Sequence, residues 1–418
     1  MKKLMKISLL LALSLLLAGC GAKGSQVIID VNGVTVDRDA LIQEIEAQID
    51  YNTQMNALYQ SYYGVNPGFT TDREQVTQDV IDNRVKTLVA LQKADEMGLG
   101  QMTADEEAEI EKGVQAQYDA LIQSAISGNF ADLPQEEAVK KAEEMAAENG
   151  ITLERYRESA IKSLKITKLQ AAVCEGVAID ENQAVSTQEM RIEEDKKTYT
   201  ATPTSFGDYL NSGAGVPNYA PAGYRLVKHI LVQFGEEEGA AINDKAKMLT
   251  LAAAAVGASE GDQKAAAQLE MDKATAALEE ARAAARNSVQ ARVDEIYALA
   301  TAENADFDAL VNQYSDDAGM PARGYAMCEG HTSFSQAFLN AGMGLEKVGD
   351  VGQPVATDYG YHIMYYAADI PEGPYDRENA LESIKAEMLE AAQEEVFFAQ
   401  LEQWIDAAEV KTYPKRLK

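Results

Sequence analysis

The 418-residue chain is poor in several residues that would mark common chemistries: three cysteines, three histidines and one tryptophan. So few cysteines cannot build the multi-bridge framework of small secreted folds. A Cys174–Cys328 bridge is the pairing left over, and no spacing argument supports it. Positive charge is scarce too: 37 lysines and arginines stand against 67 aspartates and glutamates, a formal charge of -30. That balance argues against nucleic acid and anionic lipid as partners for the body of the protein. Past the first segment, no apolar run reaches the ~20 residues that cross a bilayer. What is plentiful is apolar side chain, 46% of the whole, enough for the cores of two or three domains.

The first segment reads as a leader. Lysines crowd residues 1–6, residues 7–17 are apolar, and Leu17-Ala18-Gly19-Cys20 follows. That ending resembles the lipobox of bacterial lipoproteins, and the resemblance implies a signal peptide over 1–19 and fatty acylation, palmitate included, of Cys20. Residues 20–26 are then a short tether, and the protein sits lipid-anchored on the extracytoplasmic side of the cell membrane.

Val27 to Val31, Asn32-Gly33 and Val34 to Val36 predict a hairpin with a primed turn. Asp37 is placed to cap a helix carrying Leu41, Ile42, Ile45 and Ile49. A second helix is predicted from about Arg73 to Met97, stopped by Gly98. Thr103 to Glu106 reads as the capping box of a third, and Thr152 starts a fourth with Tyr156, Ala160 and Leu164. Between 195 and 223 glycine and proline crowd among Ser, Thr, Asn and Tyr, which predicts a linker without long helix or strand.

From Tyr224 the pattern alternates: Val227, His229 and Leu231 on one strand face, Leu226, Ile230 and Val232 on the other. Tyr361 to Tyr366 reads as a second strand, entered through Gly360. Alone, a strand histidine is more often a hydrogen-bonded core residue than a functional one.

The local sequences say more. Lys228-His229-Ile230-Leu231-Val232, Ala305 to Leu310 with Tyr314-Ser315-Asp316-Asp317, and Val348 to Thr357 with Tyr359-Gly360-Tyr361-His362-Ile363 resemble, in order, three motifs of parvulin-type prolyl isomerases. The hairpin, the helix ending Ala94-Asp95-Glu96-Met97-Gly98 and the Ile151 to Tyr156 segment resemble the N-terminal chaperone domain of SurA- and PrsA-type foldases. The resemblance implies an α+β chain. A helical SurA N-terminal-like domain would span 27–194 and a parvulin-like, FKBP-like α/β isomerase domain 224–368. A C-terminal helix at 369–418 would pack on the first domain. It further implies that His229, Asp317 and His362 form the active-site network with Thr357 and Tyr359, and that Phe334, Phe338 and Ala326 contact substrate.

Departures accompany the likeness. The family's Gly-Gly-Asp-Leu-Gly is here Arg323-Gly324-Tyr325-Ala326-Met327, and Ser333 replaces a glutamine. An excess of residues, about 236–290 and rich in Ala, Glu, Lys and Gln, predicts a helical hairpin inserted into the isomerase domain and turning at Gly257 to Gly261. His331 matches no motif position and stands as a replaceable control. The stripe of Leu381, Ile384, Met388, Leu401, Trp404 and Ile405 on the last helix needs a partner surface.

The function implied is a membrane-anchored foldase for exported unfolded proteins that isomerises X-Pro bonds, without cofactor or metal. The sequence leaves a homodimer open. Three rivals remain: a holdase with an inactive isomerase-like domain, a two-histidine, one-carboxylate metal site, and a transport or surface-binding lipoprotein.

Overall fold

The computed structural model describes residues 26–417; the expected leader over 1–19 and Cys20 lie outside the described residues. The chain divides into two compact units, one holding residues up to Ile179 together with those from Glu387 on, the other Asp180–Ala386.

In the first unit, β1 (Val27–Val31) and β2 (Val34–Asp37) pair antiparallel. Asn32 and Gly33 turn between them at φ 51° and 88°, the positive values a primed turn requires. α1 (Arg38–Tyr63) follows Asp37, whose side chain occupies the cap position without making a cap hydrogen bond. α2 (Arg73–Glu96) is capped by Asp72, and α3 (Ala104–Asn129) carries both bonds of the Thr103/Glu106 capping box. α4 (Gln135–Glu148) was not anticipated: its buried face is only Ala138, Ala142 and Ala146, too weakly apolar to register as a stripe. α5 (Leu153–Val173) starts at Thr152. Leu41, Ile45, Ile81, Val85 and Leu169 close over Ile29 and Val31, and Phe397 and Leu401 of the C-terminal helix (Arg377–Ala407) lie in the same core. Val410–Thr412 pairs antiparallel with β1, completing a three-stranded sheet.

The second unit corrects the expected linker. Residues 195–223 hold the end of α6 (Glu181–Ala201) and all of α7 (Thr204–Ser212), and the unit boundary falls earlier, at Ile179. The breakers sit where helices tolerate them: Pro203 precedes the first residue of α7 and Gly213 ends it at φ 68°. Gly207, inside α7, answers a packing need, since a Cβ there would lie 2.4 Å from the His331 ring. Cys174 and Cys328 are both free and buried.

Next come β3 (Tyr219–Ala220), β4 (Tyr224–Gln233), α8 (Glu236–Ala258), α9 (Gly261–Ala300), α10 (Phe307–Tyr314) and β5 (Tyr325–Met327). After them lie α11 (Gln336–Met343), β6 (Val355–Ala356), β7 (Gly360–Ile370) and β8 (Gly373–Pro374). The main sheet runs β5-β4-β7-β6, antiparallel throughout, while β3 and β8 form a separate pair. The two strand faces of β4 pack as their alternation predicts. Ile230 and Val232 join Ile363 under Val293 and Ile296 of α9 and Phe307 of α10. Val227, on the other face, packs with Met327, Met364 and Phe338 of α11. The predicted hairpin is α8 and α9, with its turn at Ser259 and Glu260. α9 continues unbroken into the sheet-covering helix, so insertion and domain share one element.

Candidate active site

β4 and β7 are the two central strands, with Leu231 opposite His362 and His229 opposite Met364. His229 and His362 are thus diagonal neighbours on one face, within reach of each other's rings. His362 Nδ1 and His229 Nδ1 lie 3.1 Å apart. On the far side of His229, Nε2 is 2.8 Å from Asp317 Oδ2; on the far side of His362, Nε2 is 2.8 Å from Thr357 Oγ1. Four side chains from three segments form one line.

The turn that carries Asp317 is pinned to β4. Asp316 N donates to the Leu231 carbonyl (2.9 Å), and Leu231 N donates to Ser315 Oγ (3.1 Å). Gly319 N donates to Asp317 Oδ1 (2.8 Å), and Tyr325 Oη donates to Asp317 Oδ2 (3.0 Å). The bond from His229, with those from Gly319 and Tyr325, overcomes partial burial and holds the Asp317 carboxyl at about 2. Burial, with the neighbouring His229 ring, pushes His362 down to about 3.

Those protonation states assign the protons. Ionised Asp317 only accepts, so His229 carries a proton on Nε2. With His229 neutral, its Nδ1 accepts from the Nδ1–H of His362, whose Nε2 then accepts from the Thr357 hydroxyl. The line runs from a carboxylate at one end to a hydroxyl at the other, and the tautomer of each imidazole decides which way its bonds point.

Aromatic rings form the floor. Phe338 sets its edge against both imidazoles, at centroid distances of 5.0 Å to His229 and 4.9 Å to His362, and stacks on Phe334 at 5.4 Å. Histidines, phenylalanines and Asp317 open into one cavity of about 480 Å³, which Leu231, Tyr325, Thr357 and Tyr359 also line. That volume suits a proline ring with its flanking amides.

Of the residues named from sequence, His229, Asp317, His362, Thr357, Phe334 and Phe338 meet at this cavity. Tyr359 lines it as well, but joins the network only through its main-chain N–H, which donates to Thr357 Oγ1 at 3.2 Å. Ala326 is a correction. Alternation along β5 sends it to the opposite face, where it is buried beside Phe206 and Tyr224 and its main chain is held by Asn211. Its neighbour Tyr325 faces the site instead. The signal for Tyr325 is the departure at Arg323 to Met327, which places a phenol where it donates to Asp317.

His331 is a second correction. It is buried, bonded through Nε2 to Asp208 (3.0 Å), and packed edge-on to Phe334 at 4.8 Å. A residue supporting the floor is no neutral control.

The metal reading meets the same geometry. The imidazole nitrogens of His229 and His362 are turned toward each other, Asp317 and Thr357 rather than toward a common point. Among the described residues no group of three or more His, Cys, Asp and Glu is arranged to hold an ion.

Residues 269–368 match the family described as Rotamase, the PPIC-type PPIASE domain. The matched span opens inside α9 and leaves out β4, which the insertion separates from it; the sheet restores that strand, with His229, to the centre. Among curated proteins the chain is similar to the foldase protein PrsA of Clostridium botulinum. It is 31% identical over 116 residues in strain 657, and 28% identical over 117 residues in strain Langeland. Each match covers 27% of this chain and 34% of the relative, so it spans about a third of the relatives' length. Among solved structures, PrsA from Bacillus subtilis covers 72% of this chain and 85% of its own (15% identity, TM-score 0.22). A SurA-like chaperone from a study of PEB4 and Cj1289 of Campylobacter jejuni covers 93% and 98% (8% identity, TM-score 0.28).

Proposed function

We propose that this chain is an extracytoplasmic foldase, held to the membrane through a lipid on Cys20, that binds unfolded exported proteins and speeds cis/trans exchange at their X-Pro bonds. The chain carries a PPIC-type PPIase domain and is similar to PrsA foldases. The observation that carries the reading is the Asp317–His229–His362–Thr357 line set over the Phe334/Phe338 floor in one cavity.

The chemistry asks for that and little else. Rotation about X-Pro requires the amide to lose resonance against a barrier of ~18–20 kcal/mol, with no bond broken. The phenylalanine floor grips the pyrrolidine ring by apolar contact while the rest of the chain turns. The histidine line presents fixed dipoles at the edge of the cavity, so it can favour the twisted amide, with its more localised nitrogen lone pair and carbonyl, over the planar one. Each ~1.4 kcal/mol of such preference gives tenfold in rate. No nucleophile is needed, and Asp317 acts by fixing the His229 proton.

Client binding is assigned to the first unit. Along the second half of α1 and the segment after it, Tyr51, Leu58, Tyr62, Val65 and Phe69 are all exposed, more apolar surface than a solvated helix needs.

The deciding experiment is a proline-peptide isomerisation assay on the chain from residue 26 onward, beside an aggregation-suppression assay on an unfolded client. Acceleration together with suppression supports the proposal. Suppression without acceleration on any proline peptide makes the protein a holdase.

A further inference from the structure

The proline site accounts for one cavity of the second unit, and two more open beside it, each walled by the inserted hairpin. The first, about 760 Å³, takes one wall from Glu236, Gly239, Ala240 and Asn243 of α8. These lie three and four residues apart, hence on one helix face. The other face, Ile242 with Ala246 and Leu249, is spent inside the hairpin against Leu278, Ala285 and Phe234. The cavity face is small by composition: a Cβ built on Gly239 meets nothing within 4 Å. The second cavity, about 320 Å³, takes a wall from Glu279, Arg282 and Arg286, again one face, on α9.

All three cavities meet at the same turn. Ser335 and Thr357 line every one of them, and Tyr359, 70% exposed, stands between the proline site and the larger neighbour. The hairpin grips that turn directly. Arg282 Nε and a terminal nitrogen bond the two oxygens of Asp358 at 2.7 and 2.8 Å, a bidentate pair. Asp358 lies between Thr357, which bonds His362, and Tyr359.

We propose that the hairpin is the outer wall of a peptide groove continuous with the proline site. The occupant is the substrate itself: the extended polypeptide flanking the X-Pro bond, laid along the Glu236–Asn243 face of α8. The side-chain amides of Gln233 and Asn243 on that path can pair with an extended main chain, and Arg282 is the positioning residue for the shared turn. This extends the isomerase reading and rests on it for the identity of the occupant.

The test compares a labelled proline peptide of about twelve residues, roughly 40 Å when extended, with a proline tetrapeptide reporter, both on the full mature chain. Gly239→Trp places a large side chain in the groove at a helical position where a Cβ meets nothing within 4 Å, and an unchanged melting temperature checks that folding is preserved. It is expected to weaken the long peptide by at least about tenfold. Gly257→Trp, near the hairpin turn, serves as the control and keeps wild-type affinity. Arg282→Asp is expected to weaken long-peptide binding, and adding Asp358→Arg to restore it, a rescue that simple loss of folding does not give. Equal binding of the long peptide by wild type and Gly239→Trp overturns the proposal. If the wild type does not turn over the tetrapeptide while Gly239→Trp still loses the long peptide, the isomerase reading falls and the groove stands as a binding site.

Discussion

His229 and His362 share a single proton position between their facing Nδ1 atoms, 3.1 Å apart on the two central strands. Only one of the two nitrogens can donate there, so the tautomers of the two rings are tied to each other. His362, buried and beside a second imidazole, is held neutral, far below the ordinary histidine value.

That depression makes stability pH-dependent with a definite sign. A histidine at about 3 in the folded state and near 6.5 unfolded binds fewer protons when folded. Its contribution is therefore fully present above pH ~6.5 and is lost as pH falls toward 3, amounting to a few kcal/mol. Asp317, depressed to about 2, adds loss of the same sign only below its ordinary range. Denaturant midpoints measured from pH 7 to pH 4 should fall steeply for the wild type and less so for His362→Gln. Parallel slopes would assign the pH dependence to other groups.

Replacing His331 should be costly. The ring is buried, bonded to Asp208 and packed on Phe334, and Ser333 bonds the same carboxylate at 2.6 Å. His331→Ala leaves a void under the aromatic floor and removes one partner of Asp208, an expected loss of about 2 kcal/mol. Thermal unfolding of the second unit reads it, and a melting temperature equal to wild type would show that the site tolerates the void.

The hairpin can be shortened only in part. Ile242, Leu278 and Ala285 are buried against Phe234 and Tyr361, so replacing residues 240–286 with a Gly/Ser loop uncovers the end of the sheet and frees Asp358 from Arg282. Losing those side chains should cost about 3 kcal/mol or more. Replacing only 250–274 spares them, and loop closure then changes stability by only a few tenths to about 1 kcal/mol. Urea titrations of the two deletions should differ accordingly. Equal midpoints would mean that the base of the hairpin carries no core.

Much of the site was legible because its residues sit in local patterns. His229 and His362 lie in alternating strands whose pairing puts both on one face, and Asp317 closes a turn fixed by the neighbouring Ser315 and Asp316. What escaped depends on contacts between distant segments. Tyr325 gains its role from a carboxylate on another turn, and His331 gains its own from Asp208 in α7. α7 hid behind Pro203, Gly207 and Gly213, which mark its two ends and one close approach. α4 was missed because alanine buries well but announces itself poorly.

The proposed membrane anchor is tested at its one residue. If Cys20 takes the lipid, Cys20→Ser should leave the leader uncleaved by the lipoprotein peptidase or shift the protein from the membrane to the soluble fraction. Normal processing with full membrane retention would place the anchor elsewhere.

The proposed isomerase site is tested by removing the acid end of the line, its centre and its floor in turn. Asp317→Ala takes away the acceptor that fixes the His229 proton and leaves Tyr325 Oη without its partner. His229→Ala breaks the line in the middle, and Phe338→Ala removes the ring that touches both imidazoles. A hydrogen bond to a charged group is worth ~1.5–3 kcal/mol, so the first two changes should lower kcat/KM on proline peptides by about 10- to 100-fold. Phe338→Ala should act mainly through KM, because the floor grips ground and transition states alike. Asp317→Asn separates charge from shape: its amide oxygen can still accept from His229 but carries no charge, so its rate should fall between wild type and Asp317→Ala. Suppression of client aggregation should persist in all four variants, since none touches the exposed apolar residues of the first unit. If Asp317→Ala and His229→Ala fold as wild type and isomerise as fast, the polar line does not act in catalysis, and apolar binding of the proline alone must carry the rate.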